Sequence, residues 1–219
     1  MNQYADPAAE QMRACPVNDL KSEGNKNKRC VLMRTHVGRG AGAFIEPRLF
    51  TAEKFAWVCS PWISPSFAQR MVDLAKKGVE VRIITSEVEE NKEMLKILKE
   101  SVKPPKDFLG RVKKDWVRPS IDYLILRSEV DQPLVHAKIY VVDGEYAVTG
   151  SANCTESGFY HNIEHIIIFD SPEEVERIEE DFAVLWKLYM ELGETAVKEY
   201  TEPMPSKLLG ALLSKISRK

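Results

Sequence analysis

The chain has 219 residues, 44% hydrophobic and 29% charged, with 31 Lys+Arg against 33 Asp+Glu. At roughly 100–200 residues per domain this is one domain with appendages and apolar material for one sizeable core. That composition excludes a largely disordered chain, and no window approaches the ~18–20 uninterrupted apolar residues of a membrane-spanning helix. The first thirty residues hold no apolar h-region, so no secretory signal is expected. Cys15, Cys30, Cys59 and Cys154 lie far apart with no C-x-x-C pair, which suits reduced thiols and a cytoplasmic protein.

Residues 1–30 are polar and without periodicity, and read as a flexible arm. A strand is expected at Val31–Val37, followed by a Gly-rich flexible loop, GRGAG, which lacks the form of a phosphate-cradling P-loop. FAWVCS (Phe55–Ser60) reads as a buried strand closed by Pro61. Ser64-Pro65-Ser66 opens a helix with Phe67, Met71, Leu74 and Ala75 on one face, ended by Gly78. Val79–Thr85 is a strand and Glu87–Glu100 a charged helix with Met94, Leu95 and Leu98 inward. Pro104-Pro105 begins a loop. Strand–helix–strand–helix order argues for a layered α/β domain.

The second half is richer in strands: Ile121–Arg127, Leu134–Val142 and Ile163–Phe169. Ser171-Pro172-Glu173-Glu174 supplies an N-cap, a first-turn proline and a capping glutamate for a helix that ends at Gly193. That helix carries Val175, Ile178, Phe182, Leu185 and Tyr189 at three-to-four spacing. The last segment, PSKLLGALLSKISRK, reads as a short amphipathic helix. Packing on its own domain or a partner is favoured for it over contact with a membrane.

Charge is segregated although the formal net is −2. KPPKDFLGRVKKDWVR, Lys103 to Arg118, holds six basic and two acidic residues, and Lys26 to Arg39 and the tail are also basic. Glu173 to Asp181 collects acid. Such segregation fits either solvated loops or a polyanion-binding face.

LVHAKIYVVDGEYAVTGSAN carries the chemistry. Asp143-Gly144 between alternating apolar runs signals a hairpin, because a two-residue type I′ turn needs positive φ twice. Alternation puts His136 and Lys138 on one face, roughly 6–7 Å apart. A two-residue turn sets Val142 against Glu145 and therefore Ser151 against His136, at about 4.5–5.5 Å. Asn153 shares that face if the strand stays regular. An imidazole, an ammonium, a hydroxyl and an amide on one patch suit a phosphate group.

His136-x-Lys138-x4-Asp143-x6-Gly150-Ser151-x-Asn153 resembles the HKD signature of the phospholipase D superfamily. Asn162-x-Glu164 looks like its acidic strand and the Phe182/Trp186 helix like its closing helix. The resemblance covers roughly residues 40–190. It implies a phospholipase D-like layered sandwich, a mixed β-sheet flanked by helices on both faces, over residues 31–200. The arm (1–30) and an amphipathic tail (201–219) lie outside it. It also implies a phosphodiesterase working through a covalent phosphohistidine, without metal or cofactor. His136 is then the nucleophile, Lys138, Ser151 and Asn153 hold the phosphoryl oxygens, and Glu164 orients an imidazole. Asp143 and Gly150 belong to the motif with structural roles.

The motif occurs once, since neither His36, His161 nor His165 is followed by lysine at the second position. Attack on a diester needs a nucleophile and an acid for the leaving oxygen. Similar single-motif proteins supply both as homodimers across a twofold axis, so a homodimer with the second His136 as acid is expected. His161-Asn-Ile-Glu164-His165 also fits the H-x-x-E-H zinc pattern, which requires a helix. The β-branched residues after it make a strand, where residues four apart lie about 13 Å from each other.

The motif does not choose among phosphodiesters. Lys103, Lys106, Arg111, Lys113, Lys114 and Arg118 favour a nucleic-acid substrate and hence a nuclease cutting DNA or RNA; Trp62 and Trp116 lie in nearby loops and could stack on bases, though core or loop packing is favoured for each. The alternatives are a phospholipase or cardiolipin hydrolase recruited by the tail, and a non-catalytic nucleic-acid-binding module of a larger defence or repair complex.

Overall fold

Apolar runs too long to stay in water set the strands, and the mix of parallel and antiparallel pairing follows from what connects them. In a computed structural model that describes residues 34–112, 115–127, 135–190 and 194–195, the elements follow in this order. They are β1 (Arg34–Gly38), α1 (Gly42–Leu49), β2 (Phe55–Cys59), α2 (Pro65–Lys76), β3 (Glu80–Glu87), α3 (Lys92–Ser101) and β4 (Ile121–Arg127). There follow β5 (Ile139–Val142), β6 (Tyr146–Gly150), β7 (Glu164–Phe169), α4 (Pro172–Met190) and the two-residue β8 (Glu194–Thr195). The sheet order is β1-β7-β6-β5-β2-β3-β4-β8. Helical crossovers make β2, β3 and β4 parallel, whereas the hairpin and the edges pair antiparallel.

Both faces of this mixed sheet are covered, as expected. Ile45 and Leu49 of α1, Phe67, Met71 and Leu74 of α2, and Met94, Leu95 and Leu98 of α3 pack on one face with Val58, Ile83 and Tyr140. Val175, Phe182, Trp186 and Tyr189 of α4 close the other against Ile84, Leu124 and Val141. There Trp57 stacks on Phe182 with centroids 5.3 Å apart, and Phe182 on Trp186 at 6.0 Å. Ser171 starts α4 by donating its hydroxyl to Glu174 at 2.7 Å, and its carbonyl accepts the Glu174 and Val175 N–H groups.

Three expectations need correction. The Gly-rich loop is partly helix: α1 begins at Gly42, where a Cβ would lie 2.7 Å from the Phe159 Cβ. Glycine here permits a close approach rather than flexibility. The charged helix starts later than expected, because β3 runs on to Glu87 and a 3₁₀ turn at Glu89–Asn91 intervenes. The strand expected from Leu134 is regular only from Ile139. The arm, the tail, Lys113 and Lys114 lie outside the described residues.

The hairpin turn also differs. Asp143 and Gly144 have positive φ, 57° and 75°, and the Glu145 N–H bonds the Val142 carbonyl at 3.0 Å. Val142, however, pairs with Tyr146 rather than Glu145, which is an extra residue in the turn. Every cross-strand pair moves by one, and Lys138 comes level with Gly150, whose N–H bonds the Lys138 carbonyl at 3.3 Å. Asp143 also ties the turn to β2, accepting the backbone N–H groups of Glu53, Lys54 and Phe55 at 2.9, 2.8 and 2.9 Å.

Candidate active site

β2 ends at Cys59, which pairs with Ile139 at the start of β5. The motif's His136 and Lys138 therefore sit past the end of β2 and at the level of the last residues of β3 and β4, the carboxyl end of the parallel strands, where open α/β sheets place their sites. Lys138 is 5% exposed. Its ammonium donates to the His136 carbonyl at 2.7 Å and lies 3.4 Å from His136 Nδ1. The imidazole itself is exposed. Burial lowers the pKa of Lys138, and the Glu164 carboxylate opposes that shift.

Glu164, 7% exposed, is the first residue of β7. It accepts hydrogen bonds from the Ser151 hydroxyl and, at 3.2 Å, from the Asn162 amide. Ser151 in turn accepts the His165 N–H at 3.0 Å. Among the described residues no hydrogen bond joins Glu164 to His136 of its own chain.

Ser151 reaches Glu164 despite the shifted register. Lys138 and Gly150 now share a face, so plain alternation would send Ser151 to the opposite one. Gly150 breaks the alternation with φ 153°, and Ser151 turns back toward β7. Asn153 stands in a cleft of about 300 Å³ with Trp62, Ser64, Glu90, Asn91 and Thr155. Its Oδ1 is buried without a hydrogen-bond partner, which is costly unless a ligand or water supplies a donor.

Several positioning residues carry no signal of their own in the sequence. Ser60, at the end of β2, accepts the Cys154 N–H at 3.0 Å and donates to the Trp62 carbonyl at 2.7 Å. The Tyr140 hydroxyl donates to the Ala152 carbonyl at 2.8 Å. Together they fix the backbone on both sides of Asn153. Buried Asn91 accepts the Ile63 N–H and donates to the Pro61 and Ser86 carbonyls, shaping the cleft's other wall. Cys59 is free and buried, its thiol pushed up to about 12 by that burial, with nearby Lys138 pulling the other way.

The basic run is not brought to this site. It enters β4 at Ile121, which pairs with Val81 near the start of β3, at the end of the sheet that carries the Asp143 turn. That level is ~10 Å along the strands from Ile139, and His136 lies three residues further on. Lys103 and Lys106 are exposed. Arg111 pairs with Asp107 at 3.0 Å. Arg118 donates to the Ile121 carbonyl at 2.9 Å and to Asp122 at 3.0 Å, so it holds the entry of β4. The H-x-x-E-H residues do not share a helix: His161 ends a π turn, while Glu164 and His165 begin β7.

Phosphate binding at this site is expected to follow the charge of Lys138. With its pKa depressed, the ammonium is lost, and affinity with it, at a lower pH than for an ordinary lysine near 10.5. Between the two values the unfolded chain holds the extra proton, so stability contributed by this residue rises with pH in that window. Calorimetric titration of inorganic phosphate across alkaline pH checks this, and a midpoint at or above the ordinary lysine value would contradict it.

A family model described as "Cardiolipin synthase, PLD-like domain" matches residues 45–186. A mitochondrial cardiolipin hydrolase of Xenopus laevis is 29% identical over 126 residues, 58% of this chain and 51% of that protein. The chain thus spans about half the length of that relative. Among solved structures, Nuc from Salmonella typhimurium, a phospholipase D family member, shares the fold with TM-score 0.54 at 19% identity, over 76% of this chain and 99% of its own. NucT from Helicobacter pylori does so with TM-score 0.51 at 15% identity, over 74% and 98%. With the family model spanning most of the sheet and the whole His136–Asn153 motif, the chain belongs to the phospholipase D superfamily.

Proposed function

We propose that this protein is a nuclease that cleaves DNA or RNA without metal, through a phosphohistidine on His136, in an active site completed by a second copy of the chain. One observation carries this reading: a single exposed imidazole stands beside one buried ammonium, and the buried carboxylate nearby makes no hydrogen bond to that imidazole. While Nδ1 accepts from Lys138, the ring's proton sits on Nε2 and its outer lone pair is blocked. A carboxylate from a partner copy that takes up an Nδ1–H frees Nε2 for attack.

In the first step Nε2 of His136 bonds to phosphorus. The bond to the leaving oxygen breaks, and the partner's His136 gives that oxygen its proton. Water then attacks phosphorus and passes a proton to the partner's His136 as the phosphorus–nitrogen bond breaks. Lys138 offsets charge on the non-bridging oxygens, and the Asn153 amide N–H groups donate to them.

Exposed apolar side chains at the rim support the second copy. Ile163, next to Glu164, is 76% exposed, and Val37, paired with His165, is 69% exposed. Ile163→Glu is expected to give a monomer by light scattering and to lower cleavage by about a hundredfold, the usual worth of a lost general acid. A monomeric variant with full activity would contradict the shared site.

For the substrate, nucleic acid is supported by a row of lysines, Lys92, Lys96, Lys99 and Lys103, that outnumber Glu87 and Glu100 along a groove on α3 of about 310 Å³. Phosphates tracking such a row make binding fall steeply with salt. The second reading, an anionic phospholipid, draws on the cardiolipin hydrolase relative. Labelled single- and double-stranded DNA and RNA, and cardiolipin vesicles, each incubated in excess chelator, separate the two. Cleavage of lipid alone would replace the nuclease reading, and activity lost to chelation would overturn the metal-free scheme.

A further inference from the structure

Far from the catalytic end, the loop between α3 and β4 builds a small turn of its own. Lys106 bridges to Val112, and Asp107 organises what lies between. Its carboxylate accepts the N–H groups of Leu109 and Arg111 at 2.8 and 2.9 Å and the Arg111 Nε–H at 3.0 Å. Its backbone N–H bonds the Arg111 carbonyl at 2.8 Å, and its carbonyl accepts the Gly110 N–H at 2.9 Å. Gly110, with φ 77°, makes the reversal. A turn held by its own hydrogen bonds needs no apolar side chain facing the core.

What it presents outward is apolar. Phe108 is 93% exposed and Leu109 60%, with Val112 at 49% and Val117 at 83%. Exposed apolar patches of this kind mark contact surfaces. Lys103 and Lys106 precede the tip along the chain and Arg111 follows it, and all three are exposed. The one carboxylate within the turn, Asp107, is spent on its backbone and on Arg111.

We propose that this turn docks the protein on an anionic lipid surface, with Phe108 and Leu109 entering the headgroup region and Lys103, Lys106 and Arg111 on the lipid phosphates. An apolar tip inside a basic collar is the chemistry of interfacial anchoring. A nucleic acid fits it less well: three of the four exposed apolar residues are aliphatic and offer no π face for a base. The turn lies at the end of the sheet away from His136, so docking leaves the catalytic end facing water. A membrane-held enzyme acting on a dissolved polyanion follows, although the docking itself stands whichever diester is cleaved.

The test is co-sedimentation of the full chain with phosphatidylcholine vesicles, with and without phosphatidylglycerol. The protein is expected to sediment only with the anionic vesicles, and Phe108→Ser/Leu109→Ser to lower the bound fraction at least about tenfold. Lys106→Glu should also lower it, through charge. Thermal melting and cleavage of bis(p-nitrophenyl) phosphate, a soluble diester, stay unchanged in both, which keeps docking separate from catalysis. A wild type that ignores anionic vesicles overturns the proposal. So does an apolar double variant that binds them as the wild type does, or one that loses single-stranded DNA binding while keeping vesicle binding.

Discussion

His136→Ala is expected to lower phosphodiester cleavage by about ten-thousandfold or more, the scale seen when a covalent nucleophile is removed. Stability should change by less than about 0.5 kcal/mol, because the residue is exposed and the polar approach to its ring among the described residues is that of Lys138 at 3.4 Å. Alanine keeps the carbonyl that holds the Lys138 ammonium at 2.7 Å. The Lys138 ammonium therefore stays in place, and substrate binding should be retained while turnover is lost. Single-turnover cleavage and equilibrium binding of the same labelled substrate, measured side by side, check both halves. Residual cleavage within tenfold of wild type would mean that the nucleophile lies elsewhere.

Gly150→Ala is expected to destabilise the fold by more than about 3 kcal/mol, from backbone strain and overpacking together. A Cβ there would lie 2.2 Å from the His165 carbonyl oxygen and 2.8 Å from the Ile166 Cα, at a φ of 153°. Both neighbours are backbone of β7, which β6 pairs in register, so neither moves without opening the ladder. What gives way carries Ser151 and Glu164 with it, and activity should fall with stability. Gly78→Ala is the comparison: φ is 98° but nothing lies within 4 Å. It should cost only about 1–2 kcal/mol, the strain of a left-handed residue. Urea unfolding of the two variants separates the effects, and equal losses would show that the β7 contact adds nothing.

The Asp107–Arg111 turn and the His136 end of the sheet also divide the basic residues. Those of the Lys103–Arg118 run look alike in sequence, yet Arg118 braces β4, Arg111 shapes a turn, and Lys103 and Lys106 remain exposed. A polyanion-binding face read from charge alone treats them as equivalent. Which of them meets a partner depends on where the chain leaves α3 and enters β4.

Local chemistry was legible in the chain. Positive φ at Asp143 and Gly144, the inward faces of α2 and α3, the capped start of α4 and the motif that names the superfamily all follow from neighbours a few residues apart. The H-x-K spacing also put His136 beside Lys138, although regular strand begins only at Ile139. Long-range pairing was not legible. The extra residue at Glu145 moved the register by one, and only contact with β7 explains why Gly150 bends Ser151 back to Glu164. Ser60, Tyr140 and Asn91 became positioning groups because their partners lie 94, 12 and 28 residues away. Turns, caps and faces answer to local sterics and periodicity, whereas register, sheet order and the end of the sheet a loop occupies are settled by which distant strands bury one another.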